Sequence, residues 1–181
     1  MKKKGDIWVS AVLYIALGVI AITVILAAGL PLIQKMKDRN TVAQSKELML
    51  VLDETIRRVA SEGPGSQRQL SPFVVKVGQL YIDEKDAAGI GSNIVDWKSE
   101  TSALVMEPEI DKKEGNLIVR LEETHVEEVY EVNLKLDYRE FLDINLVSEF
   151  GNPFTGEFSL LIKNTGKFDD AGLPTIDVMV S

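Results

Sequence analysis

The chain has 181 residues, no cysteine, one histidine and a formal net charge of −8. Without cysteine it has no disulfide bond, no thiolate metal site and no cysteine nucleophile. Residues 1–40 carry six basic and two acidic side chains, whereas the rest of the chain carries 14 basic and 26 acidic ones. Because phosphate binding needs a basic surface, the acidic remainder argues against a nucleic-acid partner.

The first predicted element is an apolar helix over residues 7–33, which contain no charged side chain. As a helix this stretch would be roughly 40 Å long, against about 30 Å for the hydrocarbon core of a bilayer. It is longer than the apolar part of a secretory signal and runs into a polar helical pattern, so we expect it to be retained as a membrane-spanning helix. A buried helix of a soluble domain is disfavoured, because the rest of the chain is too small and polar to enclose it.

Gly29 and Pro31 interrupt this pattern near its end. Proline lacks the amide donor and clashes with the preceding turn, so we predict a kink there, with the end of the helix as the alternative. Residues 34–62 then form an amphipathic continuation. Its apolar side chains recur at helical spacing, at Val42, Met49, Leu52, Ile56 and Val59. Its polar face carries Lys46, Glu47, Asp53, Glu54, Arg57 and Arg58.

After the breakers at residues 63–65 the apolar period changes from helical to alternating. Residues 117–121 and 130–138 form the best strand pair, joined by a loop over residues 122–128. Further candidates follow at residues 67–77, 80–83, 94–98, 142–146, 156–164 and 175–180. The predicted fold class is therefore α+β: a long kinked N-terminal hydrophobic helix, then an antiparallel β-sandwich-like head over residues 66–181.

Catalytic chemistry has little support in the sequence. His125 lies among glutamates that could accompany it at a zinc ion, but one histidine in a solvated loop fixes little geometry. Residues 83–86 lack the spaced oxygen ligands of a calcium loop. Because the motifs of nucleophilic, phosphate-binding and zinc enzymes are also missing, we expect no enzyme activity, no cofactor and no metal site.

Lys2, Lys3, Lys4 and Gly5 stand directly before the apolar stretch. This arrangement resembles the class III signal of type IV pilins and archaellins, and residues 9–12 and 21–28 are similar to archaeal type IV pilins in particular. The resemblance implies that a prepilin-peptidase-like enzyme cuts between Gly5 and Asp6. Two positions depart from the family pattern. Ser10 stands where bacterial members carry Glu and archaeal members often do not, and Asp6 stands where an apolar first residue is common.

The resemblance also implies a role for each part of the chain. Residues 1–5 would be a short basic leader, and residues 6–62 one long helix whose apolar part becomes the filament core. The core residues singled out are Ile7, Trp8, Val12, Tyr14, Gly18, Ile22 and Leu26. Copies of the chain itself, the membrane before assembly and the pilus assembly machinery are the implied partners. The head would then lie at the cell surface, in a filament used for adhesion or surface attachment.

Two other interpretations remain open at this point. The chain would be a single-pass membrane protein with an anchored β-domain for binding or scaffolding if its helix never left the bilayer. It would be a minor pseudopilin if it did not polymerise. The sequence also leaves open whether a filament of this protein would be a pilus or an archaellum.

Overall fold

In a computed structural model, which describes residues 3–87 and 89–181, one long helix precedes a single β-sheet. Helix α1 spans Lys3–Glu62, and the side chains are described from Trp8 onward. Met1 and Lys2 of the predicted leader lie outside the described residues. The backbone is helical across Gly5 and Asp6, the predicted processing position.

Helix α1 continues through Pro31 without interruption, so the alternative in which the helix ends there is wrong. The kink predicted at Gly29 and Pro31 stays a prediction. The predicted end of the helix is confirmed, since α1 stops at Glu62. Gly63 and Gly65 follow with φ of 91° and 83°, in the left-handed region that glycine tolerates best.

Eight strands follow the helix and form one sheet. They are β1 (Gln67–Ile82), β2 (Ile94–Thr101), β3 (Lys112–Glu114), β4 (Leu117–Glu123), β5 (Tyr130–Asp137), β6 (Asp143–Ser148), β7 (Phe154–Phe168) and β8 (Pro174–Val180). Their spatial order is β3-β4-β5-β2-β1-β7-β8-β6. All neighbours are antiparallel except β6 and β8, which run parallel. The sheet is therefore mixed, not purely antiparallel as predicted.

The predicted α+β class is confirmed, but the two-sheet sandwich is not. Most of the strands bury alternate side chains along part of their length, as in β5, where Val132, Leu134 and Leu136 are buried and their neighbours are half-exposed. Such strands need one apolar partner layer, and the second half of α1 supplies it. Helix residues Val42, Met49, Leu52, Ile56 and Val59 all belong to the core, as their spacing predicted.

The structure corrects three local predictions. Strand β1 passes through Gly78 without ending, and its register against β7 shifts between Val75 and Leu80. Residues 112–114, where no strand was predicted, form the short edge strand β3. Asp53, expected on the solvent face of the helix, is only 9% exposed.

Candidate membrane and assembly surface

The apolar segment, residues 8–33 of α1, extends beyond the head without a covering element. Every residue in it is exposed except Gly29, which is half-buried. Trp8 and Tyr14 are the most exposed of its large apolar side chains, at 77% and 75%. Its most apolar window has a mean hydropathy of 2.7 and is 0% buried. By length and composition the helix can cross a membrane, although a signal sequence would pass the same test.

The predicted filament-core residues fall mostly on one side of this segment. At 100° per residue, five of them lie within an arc of about 120° of the helix surface, and Tyr14 lies beside that arc. The five are Trp8, Val12, Gly18, Ile22 and Leu26. A side chain added at Gly18 would meet nothing within 4 Å, so this face has room for a second helix. The side chain of Ile7 lies outside the described ones.

The polar side chain in the middle of the segment is satisfied within the helix. Thr23 donates its hydroxyl to the carbonyl oxygen of Val19 at 2.8 Å. A helix offers this bond to a hydroxyl four residues on, so threonine costs little in an apolar environment. The segment therefore presents an apolar surface despite containing Thr23.

The first contacts between helix and head occur just after the apolar segment. Lys35 pairs with Glu128 in the β4–β5 loop at 3.3 Å. The carboxylate of Asp38 accepts hydrogen bonds from the amide of Ser102 at 2.9 Å and from its hydroxyl at 2.6 Å. Although partial burial acts in the opposite direction, these two donors hold the pKa of Asp38 below its ordinary value. We call the loops at residues 102–106 and 124–129 the base of the head.

A third polar contact continues this attachment further along the helix. Lys46 forms an ion pair with Glu114 of the edge strand β3. The hydrogen bond from Lys46 lowers the pKa of Glu114. The junction between apolar segment and head is thus fixed by side chains from three separate parts of the sheet domain.

The predicted titratable candidates do not come together. His125 is exposed in the β4–β5 loop. Among the side chains that the structure describes, those of residues 8–87 and 89–181, no group of three or more histidine, aspartate or glutamate residues could hold a metal ion. The depression beside Asn116, Arg139 and Phe141, about 490 Å³, is open and lined by mixed charges. The apolar segment is therefore the feature on which a function can be argued.

No family model, curated protein or solved structure matches this chain. The class of protein is defined by its layout: an exposed apolar N-terminal helix continues into an α+β head with a mixed eight-stranded sheet. That layout is compatible with a pilin-like subunit.

Proposed function

We propose that the protein is a structural subunit of an extracellular, type IV pilus-like filament that assembles through its N-terminal helix. The supporting observation is the uncovered apolar segment, which is continuous with the helix that organises the head. It exposes 14 leucine, isoleucine and valine side chains. At about 1.5–3 kcal/mol for each such side chain, covering them is worth on the order of 20 kcal/mol or more.

A bilayer covers this surface before assembly. Residues 8–33 are about 39 Å long as a helix, enough to cross a hydrocarbon core of about 30 Å with some tilt. Lys2, Lys3 and Lys4 then stay at the cytoplasmic face. Because Lys35, Lys37 and Arg39 nearly balance them, this orientation follows from the resemblance to type IV pilins and not from the count of basic residues. The acidic head lies on the other side of the membrane.

Neighbouring copies cover the same surface in the filament. Removal of residues 1–5 between Gly5 and Asp6 takes away the lysine cluster that holds the N-terminus at the membrane face. The apolar segments then bundle, and Gly18 allows close approach of a neighbouring helix on the face shared with Ile22 and Leu26. The heads form the outer layer, where adhesion or surface attachment would take place.

Electron microscopy of material shed from cells that express the chain with a pilus assembly system tests this proposal. We expect filaments, and mass spectrometry should give a subunit whose first residue is Asp6. A Gly5→Val variant places a branched side chain beside the proposed cut and should leave the subunit unprocessed in the membrane, whereas Lys4→Arg should assemble normally. Unprocessed, solitary copies of the unmodified chain under all conditions would show an anchored β-domain protein instead.

A further inference from the structure

A row of uncharged residues runs along the side of α1 that the head leaves uncovered. Its members are seven residues apart, at Ile22, Gly29, Met36, Ala43 and Leu50. Met36 and Leu50 are 64% and 38% exposed, and Ala43 is exposed as well. Because seven residues at about 100° each return to within about 20° of the same side, these residues form one continuous row, which we call the first row.

The upper part of the first row has neither lipid nor the sheet to cover it. Leu50 lies 17 residues after Ile33, so it is about 25 Å beyond the apolar segment. The interfacial layer of a bilayer is only about 5–7 Å deep. The fully buried Leu52 marks the side that faces the sheet, and it lies about 160° around the helix from Leu50. A helix that packs on the lower part of this row and continues along it would cover the upper part too.

A second row lies on another side of the helix and ends in a cation. It consists of Leu26, Ile33 and Lys37, which are about 60–100° around α1 from Met36. Leu26 and Ile33 are 53% and 51% exposed. The helix therefore carries two exposed rows on different sides, and the second row begins lower, inside the apolar segment.

One charge on each row has no partner within the chain. Glu47 lies on the first row, between Ala43 and Leu50, and Lys37 ends the second row. In the part of the chain that the structure describes, neither side chain forms an ion pair or a hydrogen bond. Two copies side by side in register would place Glu47 level with Glu47. A displacement of about ten residues, or about 15 Å, instead brings Lys37 of one copy level with Glu47 of the other.

The same displacement matches the apolar residues of the two rows. It brings Leu26 level with Met36, and Ile33 level with Ala43. The small side chain of Ala43 leaves room for the larger one of Ile33, so the two helices can approach closely.

We propose that the first row of each copy packs against the second row of a neighbouring copy, displaced by about ten residues along the helix, with Glu47 paired to Lys37. This rests on the proposed filament and specifies the surfaces through which its subunits meet. The occupant is a second copy because the first row continues the surface that copies cover in the bundle. The unpaired glutamate of this row also matches the unpaired lysine of the same chain.

A contact between two different rows explains how the assembly can grow. Each copy meets one neighbour through its first row and another neighbour through its second row. Such a heterologous contact produces an open helical filament when it does not close into a ring. The displacement along the axis prevents closure, because each added copy lies further along the filament than the one before.

Cysteine cross-linking of the filaments tests the contact, since the chain has no cysteine of its own. A chain with Ala43→Cys and Ile33→Cys carries one thiol on each row, and oxidation of its filaments should give a covalent ladder of subunits. The two thiols of one chain are about 15 Å apart along the helix, so a disulfide joins different copies.

The matched control is the chain with Ala43→Cys and Leu32→Cys. Leu32 is 61% exposed and adjoins Ile33, but it points about 100° away around the helix. We expect at least about five-fold more ladder from the Ile33 pair, because a disulfide forms only where the two Cα atoms come within about 7 Å.

Charge exchange tests the pair of Glu47 and Lys37 and leaves both cysteine positions unmodified. At equal amounts of membrane-inserted subunit, Glu47→Lys and Lys37→Glu should each lower the yield of shed filaments by about two-fold or more, because like charges then meet at every contact. The chain with both changes should recover the yield, since the pair is only reversed. Failure to recover would overturn the pairing and its register, and near-ultraviolet circular dichroism verifies that each head is folded.

The unmodified chain separates this contact from the proposed function. If it forms filaments while the Ile33 pair gives no more ladder than the Leu32 pair, the subunits meet through other surfaces and the contact is refuted, although the filament stands. If the unmodified chain forms no filaments, the proposed function fails and the contact fails with it. Should the cysteine chains not assemble, the charge exchange decides the same register independently.

Discussion

The phenol oxygen of Tyr138 lies 3.0 Å from Oδ1 of Asp53 and donates a hydrogen bond to it in the buried space between helix and sheet. Tyr138 directly follows β5, and Asp53 lies in the middle of the covered half of α1. The same carboxylate accepts bonds from Arg57 at 3.0 Å and from the side-chain amide of Asn116 at 3.1 Å. A buried carboxylate needs such partners, so this cluster sets the position of the helix on the sheet.

Replacing Tyr138 with phenylalanine should destabilise the head moderately. The substitution removes one of the three donors to Asp53 and keeps the ring, so we expect a loss of about 0.5–1.5 kcal/mol in the free energy of unfolding. Urea unfolding of the detergent-solubilised full chain, followed by near-ultraviolet circular dichroism, measures this. Tyr81→Phe is the control, because Tyr81 bonds to the exposed side chain of Gln79. Equal losses in the two variants would contradict the role assigned to the buried bond.

The same pair makes the stability of the head sensitive to alkaline pH. Burial, with the negative charge of Asp53, raises the pKa of Tyr138 well above its ordinary value of about 10. A raised pKa in the folded state means that stability is complete below about pH 10 and falls as the pH rises further, because only the unfolded chain releases the proton. Tyr138→Phe should lack this part of the alkaline loss. Unfolding curves of both proteins at pH 8 and pH 11 measure how much stability each one loses. Equal losses in the unmodified protein and in Tyr138→Phe would contradict this role of Tyr138.

A charge in the apolar segment should affect membrane insertion without affecting the head. Ile22 is 60% exposed and no strand covers it, so Ile22→Asp leaves the core untouched. On insertion scales the change costs about 3 kcal/mol at the centre of a membrane helix. We expect less chain in the carbonate-resistant membrane fraction, fewer filaments and an unchanged thermal midpoint of the head. Ile22→Leu should behave like the unmodified chain, and a lowered midpoint for Ile22→Asp alone would show that the segment packs on the head.

Periodicity predicted the elements of this fold well. The helical spacing of Val42, Met49, Leu52 and Ile56 identified the covered face of α1, and the alternation in residues 130–138 identified β5. Burial of Asp53 was missed because its charge placed it on the polar face. The helical spacing could have predicted this burial, because position 53 lies four residues after Met49 and three before Ile56, on the same side of the helix.

The sequence pattern could not predict which layer covers the sheet or the order in which the strands lie. An alternating strand shows that one face is buried but not whether a second sheet or a helix covers it, which is why a sandwich was predicted. The position of β2 between β5 and β1 depends on pairing across long stretches of chain. The apolar segment could be predicted because its residues are consecutive in the sequence. The base of the head could not be predicted, because Asp38 meets Ser102 across 64 residues and Lys35 meets Glu128 across 93.

Two side chains from the loop between β1 and β2 accept hydrogen bonds from backbone amides of the edge strand β6. Asn93 accepts a hydrogen bond from the amide of Ile144 at 2.8 Å. Asp83 accepts one from the amide of Asn93 at 3.1 Å and another from the backbone of Leu146. Burial raises the pKa of Asp83 even so. Amides bonded in this way are not free to pair with a strand of another molecule, which is how many sheets avoid edge-to-edge association.

Opening this edge should destabilise the head and make it associate. Asn93→Gly removes the acceptor of the Ile144 amide and should cost about 1–3 kcal/mol in the free energy of unfolding. Asn93→Ala should cost about 1–2 kcal/mol more, because Asn93 has φ of 52° and alanine is strained there. Urea unfolding gives both values, and light scattering of the detergent-solubilised chain at increasing concentration reports association. Both variants should scatter more than the unmodified protein. If Asn93→Gly is as stable and as monodisperse as the unmodified chain, the Asn93 cap does not protect β6, and the short length of that strand is its protection instead.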